Sequence, residues 1–267
     1  MIIVNKLKNE TITRDPIFGY IMSKKENCLY FLRQILPELD IQDVKVTPQK
    51  EFNKRLKERN TRFDIWAKNK TQEFDIEMQM RNDSAIGKRF RYYQSQIDKD
   101  TLPSGKNYRH IKASYIIFFS PFDPFGLGQA KYEMEVLANR NNPESVIDTN
   151  AHWLYFNSLG HDDCLSYDLR NFLDYMNGKV NEDSDFIKKI DSEVKDYVAS
   201  PEWRHLDMNL DMMLADNTYD VEVEDIKKSI QMLKSVDVSN EKILNNLKKH
   251  YGDHFSEEEL KQIMKEA

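Results

Sequence analysis

The stretch RFDIWAKNKTQEFDIEMQM, Arg62–Met80, decides how the chain is read. Its two halves alternate polar and apolar residues about the polar connection Asn69-Lys70-Thr71-Gln72, the pattern of an antiparallel hairpin. Residues two apart on a strand share a face. Arg62, Asp64 and Trp66 therefore lie together on the first strand, and Asp75, Glu77 and Gln79 on the second. A four-residue loop pairs Lys68 with Glu73 and sets Asp64 opposite Glu77. Opposed residues have Cβ atoms roughly 5 Å apart. Two carboxylates that close repel unless a cation lies between them. Mg²⁺ suits them, because it takes hard oxygen ligands, commonly one or two carboxylates completed by water and phosphate. Gln79 points to the same side, where its amide can orient a water or bond a phosphate. The same spacing also describes an exposed hairpin with alternating charges.

Outward from the hairpin, residues 15–36 read as one helix. Asp15 is its cap, Pro16 occupies the first turn, and an apolar stripe runs from Ile17 through Tyr20 and Ile21 to Leu32 and Ile35. A short strand is expected around Val44–Thr47, followed by a basic segment from Lys50 to Arg62. After the hairpin, Ser84 to about Asp100 carries Ile86, Phe90, Tyr93 and Ile97 on one helical stripe. Ser114–Phe119, SYIIFF, is apolar enough to be a buried central strand. His152–Asn157 is a further strand and Tyr167–Met176 a further helix. This order predicts an α/β core with a mixed central sheet flanked by helices. Beyond Gly178 the strand signals stop. Residues 1–180 are thus expected to form the core domain, and 181–267 an acidic, helical C-terminal region.

The net charge of -6 is unevenly spread. Residues 45–112 hold 17 Lys or Arg against 9 Asp or Glu, a basic region able to attract a polyanion from within an acidic protein. Two isolated cysteines, Cys28 and Cys164, provide neither a disulfide framework nor zinc-ligand spacing. The opening MIIVNKLKNE has no signal-peptide core, and no apolar run approaches the ~20 residues that span a bilayer. A cytoplasmic location is expected.

The hairpin together with RFRYYQSQID, SYIIFFSPFDPFGLG, FLDYMNG and the opening TRDPIFGYIMSKKENCLYFLRQILPEL resembles the Rpn family of recombination-promoting nucleases, PD-(D/E)XK nuclease family transposases. The likeness covers roughly residues 10–180 in several ordered blocks. It implies a restriction-endonuclease-like fold and Mg²⁺-dependent cleavage of DNA with little sequence preference, Mn²⁺ being a substitute ion. By position it implies that Asp64 is the family's metal-binding Asp and Glu77 the acidic residue of its Glu-x-Lys element, which places Gln79 where that element has lysine. By analogy it also implies a homodimer, and a protein associated with the nucleoid of a bacterium.

Arg62, Arg89, Arg91 and Gln94 are candidate nucleic-acid contacts, since arginine grips phosphate bidentately. Lys50, Lys54, Arg55, Lys57 and Arg59 are further phosphate candidates. Glu26 is a candidate extra acidic residue, Tyr93 reads as core, His152 and His161 as structural, and Asp123 as a turn residue. Because Gln79 is neutral, a second reading is a catalytically silent DNA-binding or regulatory protein on the same fold. A third makes the C-terminal helices an interaction module.

Overall fold

The computed structural model describes residues 10–52, 61–82, 84–102, 104–161 and 164–267. The described residues form two compact units. One ends at Val198 and the other is Ala199–Ala267.

The first unit is built on a six-stranded mixed sheet. Its strands are β1 (Lys45–Phe52), β2 (Thr61–Lys68), β3 (Gln72–Met78), β4 (Ala113–Ser120), β5 (Lys131–Met134) and β6 (Ala151–Asn157), in the order β1-β2-β3-β4-β6-β5. β3, β4 and β6 run parallel at the centre, with β1 and β2 antiparallel on one side and β5 antiparallel on the other. Because helices cover both faces of β4, seven of its eight residues are buried, which accounts for its unbroken apolar run. The edge strand β5 carries no apolar run long enough to be read from sequence, and it was not expected.

Three of the sequence expectations need correcting. The helix foreseen over 15–36 is two helices, α1 (Asp15–Ser23) and α2 (Lys25–Ile35), broken at Lys24, whose backbone is extended. Ser23 Oγ donates to the Tyr20 carbonyl, and Asn27 Nδ2 donates to the Ile21 carbonyl. Side-chain bonds of this kind compete with the helical ladder and end α1. Asp15 is not the cap. It lies in the first turn of α1, and its carboxylate is 3.5 Å from Arg62. Tyr20, placed on the buried stripe, is instead half exposed and stacks on Tyr197.

α3 (Ile86–Thr101) crosses one face of the sheet from the end of β3 back to the start of β4, the connection parallel strands require. Its Ile86, Phe90, Tyr93 and Ile97 join Trp66, Ile116, Phe118 and Tyr155 in one core. On the opposite face Phe119 packs on Phe31 of α2 and on Phe172 of α4 (Tyr167–Met176). The domain boundary expected near residue 180 differs from the structural division by one helix, α5 (Asp185–Val198). α5 buries Phe186, Ile187, Ile190 and Val194 and packs against α1 and α4, so it completes the first unit.

The second unit consists of α6 (Pro201–Ser235), α7 (Asn240–Tyr251) and α8 (Glu257–Glu266). Ile226 and Ile230 of α6 meet Ile243 and Leu247 of α7 and Leu260 and Ile263 of α8 in a small apolar core. Ser256 and Glu259 close a capping box at the start of α8. Among the described residues no helix is long and apolar enough to cross a membrane.

Candidate active site

β2 and β3 pair from Lys68 with Glu73 through Ile65 with Ile76. One residue further on, side chains take over from the ladder. The backbone N–H of Asp64 donates to Glu77 Oε1 at 2.9 Å, and the N–H of Met78 donates to Asp64 Oδ2 at 2.9 Å. The two carboxylates are thus held against each other's strand at the end of the hairpin pairing. Both are nearly buried, Asp64 at 9% exposure and Glu77 at 2%.

α3 supplies the remainder of the site. Arg89 Nη2 donates to Glu77 Oε2 at 3.0 Å, and Arg89 Nη1 donates to Gln79 Oε1. Tyr93 Oη accepts from Arg89 Nη2 at 2.8 Å and lies 3.3 Å from Glu77 Oε2. The guanidinium also sits 5.1 Å from the ring centroids of Tyr93 and Phe118, so it is fixed by charge, hydrogen bonds and two aromatic faces. Gln79 is anchored at both ends. Its N–H donates to the Phe119 carbonyl at 2.8 Å, and its Nε2 donates to the Arg81 carbonyl.

A third carboxylate lies beneath. Asp75 is fully buried on the same face of β3 as Glu77, and neither carboxyl oxygen has a hydrogen-bond partner of normal geometry. Burial first, and the Glu77 charge second, holds its carboxyl well above the ordinary range. Asp64 is raised by the same two causes in the same order, with Asp15 adding to them. Glu77 is raised by burial, although Arg89 and the Asp64 N–H pull it down. Three acids therefore face the single guanidinium of Arg89, and the site holds its carboxylates only by retaining protons or by taking up positive charge.

That imbalance allows a test of whether the residues suit a divalent ion. Among the described residues no three His, Cys, Asp or Glu side chains form a metal cage. The available set is a pair of hard oxygen donors, Asp64 and Glu77, desolvated and short of positive charge. A pair suffices for an ion such as Mg²⁺ that keeps water and substrate oxygens in its shell, so the donor chemistry fits.

The other candidate residues are distributed as follows. Arg89 reaches Glu77. Gln94, one residue beyond Tyr93, does not, because it turns away along α3 to bond Asp98, Ser114 and Trp153. Arg91 is exposed on α3, and Arg62 is exposed beside Asp15. Lys50 pairs with Asp100 at 3.9 Å, while Lys54, Arg55, Lys57 and Arg59 lie outside the described residues. Glu26 is 88% exposed beside Lys189, away from the hairpin. His152 stacks on Tyr115, and Asp123 holds its turn through the Phe125 and Gly128 N–H groups and the Tyr132 hydroxyl. Sequence reasoning missed Asp75, whose place two residues before Glu77 on the same face was the available signal. It also missed Tyr93, whose apolar ring belongs to the core while its hydroxyl reaches Glu77.

A mixed sheet flanked by helices, with paired acids at the end of a hairpin, is the architecture of the restriction-endonuclease-like nucleases. A model of the PD-(D/E)XK nuclease family transposases matches residues 15–159, more than half of the chain, and the chain belongs to that family. No curated protein and no solved structure matches it. The family agrees with the resemblance to the Rpn nucleases. It supports a nuclease or mobile-element role and implies DNA as substrate.

Proposed function

We propose that the protein is a divalent-metal-dependent DNA endonuclease of low sequence specificity, serving recombination or the movement of mobile elements. The carrying observation is the carboxylate pair of Asp64 and Glu77 at a site with more acid than base, joined by Arg89. Asp64 and Glu77 would hold Mg²⁺, or Mn²⁺ in its place. The bound ion would supply activation of a water and neutralisation of charge on the scissile phosphate.

The chain's own groups do the rest. Gln79 presents an amide that can orient the water or bond a phosphate oxygen. It lacks the positive charge of the lysine found at that place in the family pattern, and Arg89 supplies it from α3. With a substrate phosphate present, the guanidinium can exchange its contact with Gln79 Oε1 for a phosphate oxygen, a charge-assisted bond of the stronger kind. Tyr93 holds the guanidinium in place. Arg81, Lys88 and Arg91 are exposed near the same end of α3 and suit the DNA backbone. Such contacts position a duplex without reading its sequence, which fits low specificity. A homodimer would give each DNA strand its own site.

One observation favours the silent-binder reading. Glu77 is already satisfied by the Asp64 N–H, Arg89 and Tyr93. The discriminating experiment is supercoiled plasmid incubated with Mg²⁺ or EDTA, alongside a folded Asp64→Ala variant. Nicking or linearisation by the wild type in Mg²⁺ alone is the expected result. Equal inactivity of both proteins across several divalent metals, with both still retarding DNA in a gel, selects the silent binder.

A further inference from the structure

The sheet face that bears the carboxylate pair also bears a cavity, and the two share no residue. It has a volume of about 290 Å³ and lies between the C-terminal half of α3 and the starts of β4 and β6. That size falls at the lower end of small-molecule sites. The nuclease reading does not use it.

Its floor is a built polar network. Gln94 is 9% exposed and Ser114 1%. The Gln94 amide donates to Ser114 Oγ and to Asp98 Oδ1, each at 2.8 Å, and its carbonyl accepts from Trp153 Nε1 at 3.1 Å. These three bonds fix which way the amide faces and use both of its N–H donors. Asp98 differs. Among the described residues its one hydrogen-bond partner is the Gln94 amide, to Oδ1, and no ion pair reaches it, which leaves Oδ2 open to a ligand. Burial raises its pKa.

The walls are apolar, from Ile111, Met134, Val136 and the Trp153 indole, and Glu135 adds a second acid. Among the described residues no Lys, Arg or His lines the cavity. A phosphate or any other anion would therefore meet two carboxylates and no compensating charge. An organic cation with an apolar body meets an acid short of a partner, an indole, and apolar walls sized for one ring or a short chain. We infer that this cavity is a binding site for a small organic cation, an amine or amidinium whose charged head pairs with Asp98 and whose body lies against Trp153 and Met134.

The site sits on the helix that serves the carboxylates. Asp98 is nine residues beyond Arg89, about 13 Å along α3 at the helical rise. The inference does not depend on the nuclease reading, and its test involves no cleavage.

The test is isothermal calorimetry on the full chain with putrescine, agmatine, tryptamine and benzamidine as probes. Acetate and inorganic phosphate serve as anionic controls. At least one cation is expected to bind and neither anion. Asp98→Asn keeps the size of the side chain and an acceptor for Gln94, and it is expected to weaken the cation about tenfold or more, the loss of at least 1.4 kcal/mol. Val136 is 50% exposed at the mouth, so Val136→Trp can be made without disturbing the core and is expected to abolish binding by filling the cavity. Absence of binding by every cation at millimolar concentration, binding of phosphate instead, or cation binding unchanged in both variants overturns the inference.

Discussion

The two ends of α3 solve opposite problems with similar residue types. Near its start, Arg89 and Tyr93 bond Glu77, one of three neighbouring buried acids, and another of the three, Asp75, has no hydrogen-bond partner of normal geometry. Nearer its end, Gln94 ties Ser114, Asp98 and Trp153 into a network that uses every atom of the amide. A buried polar group with its bonds made stabilises a fold, while a buried charge without compensation destabilises it. The first end therefore carries a cost in stability, and the second holds the sheet and helix together. Opposite mutational signs should follow.

The largest effect is expected at the carboxylates. Asp64→Asn should reduce Mg²⁺-dependent plasmid cleavage to background while stabilising the metal-free protein by about 1–2 kcal/mol at neutral pH, the usual conflict between stability and activity. The pH dependence sharpens this. Asp64, Asp75 and Glu77 are all raised in the folded state by burial, with Asp15 adding repulsion at Asp64 and Glu77 and Arg89 opposing it at all three. Their favourable contribution is complete below the unfolded carboxylate value of about 4 and is lost as pH rises through their folded values. The advantage of Asp64→Asn in denaturant melts should therefore grow from about pH 5 to about pH 8. An advantage independent of pH would break the comparison.

Next is Arg89. If it takes the place of the absent lysine, Arg89→Ala should lower the single-turnover cleavage rate by about 10²–10³-fold, the scale for losing a donor to developing charge. Arg89→Lys should recover part of that loss. At the other end of α3, Gln94→Ala orphans Ser114 Oγ and Trp153 Nε1 and should destabilise by about 2–3 kcal/mol in urea melts, with little change across the same pH range. The smallest effect is expected on the exposed face. Arg91→Ala should weaken DNA binding evenly across sequences and reduce the slope of log K against log salt by about one. A change in sequence preference instead would mean that Arg91 reads bases.

Much of the fold was legible because it rests on periodicity. The alternation of 62–80 and the length of its loop fixed the register Lys68–Glu73, and the SYIIFF run gave the buried strand. The pairing of Asp64 with Glu77 followed from that register. What failed to show depended on packing between elements. A 3.6-residue stripe identifies the buried side of α3 but treats its two flanks alike, so it cannot say that Arg89 turns toward the carboxylates and Gln94 away. The break at Lys24 arises from side-chain bonds of Ser23 and Asn27 that periodicity does not register. The four-residue edge strand β5 is too short to alternate visibly, and α5 reads as an appendage until its apolar side meets α1 and α4.

Whether Asp64 and Glu77 hold a metal ion is read from thermal unfolding over a Mg²⁺ titration in wild type and Asp64→Asn. A ligand that binds only the folded state raises the melting temperature, by an amount that grows with the logarithm of its concentration above Kd. Such a rise is expected in the wild type, and none in the variant. An equal rise in both proteins, or none in the wild type, would contradict it.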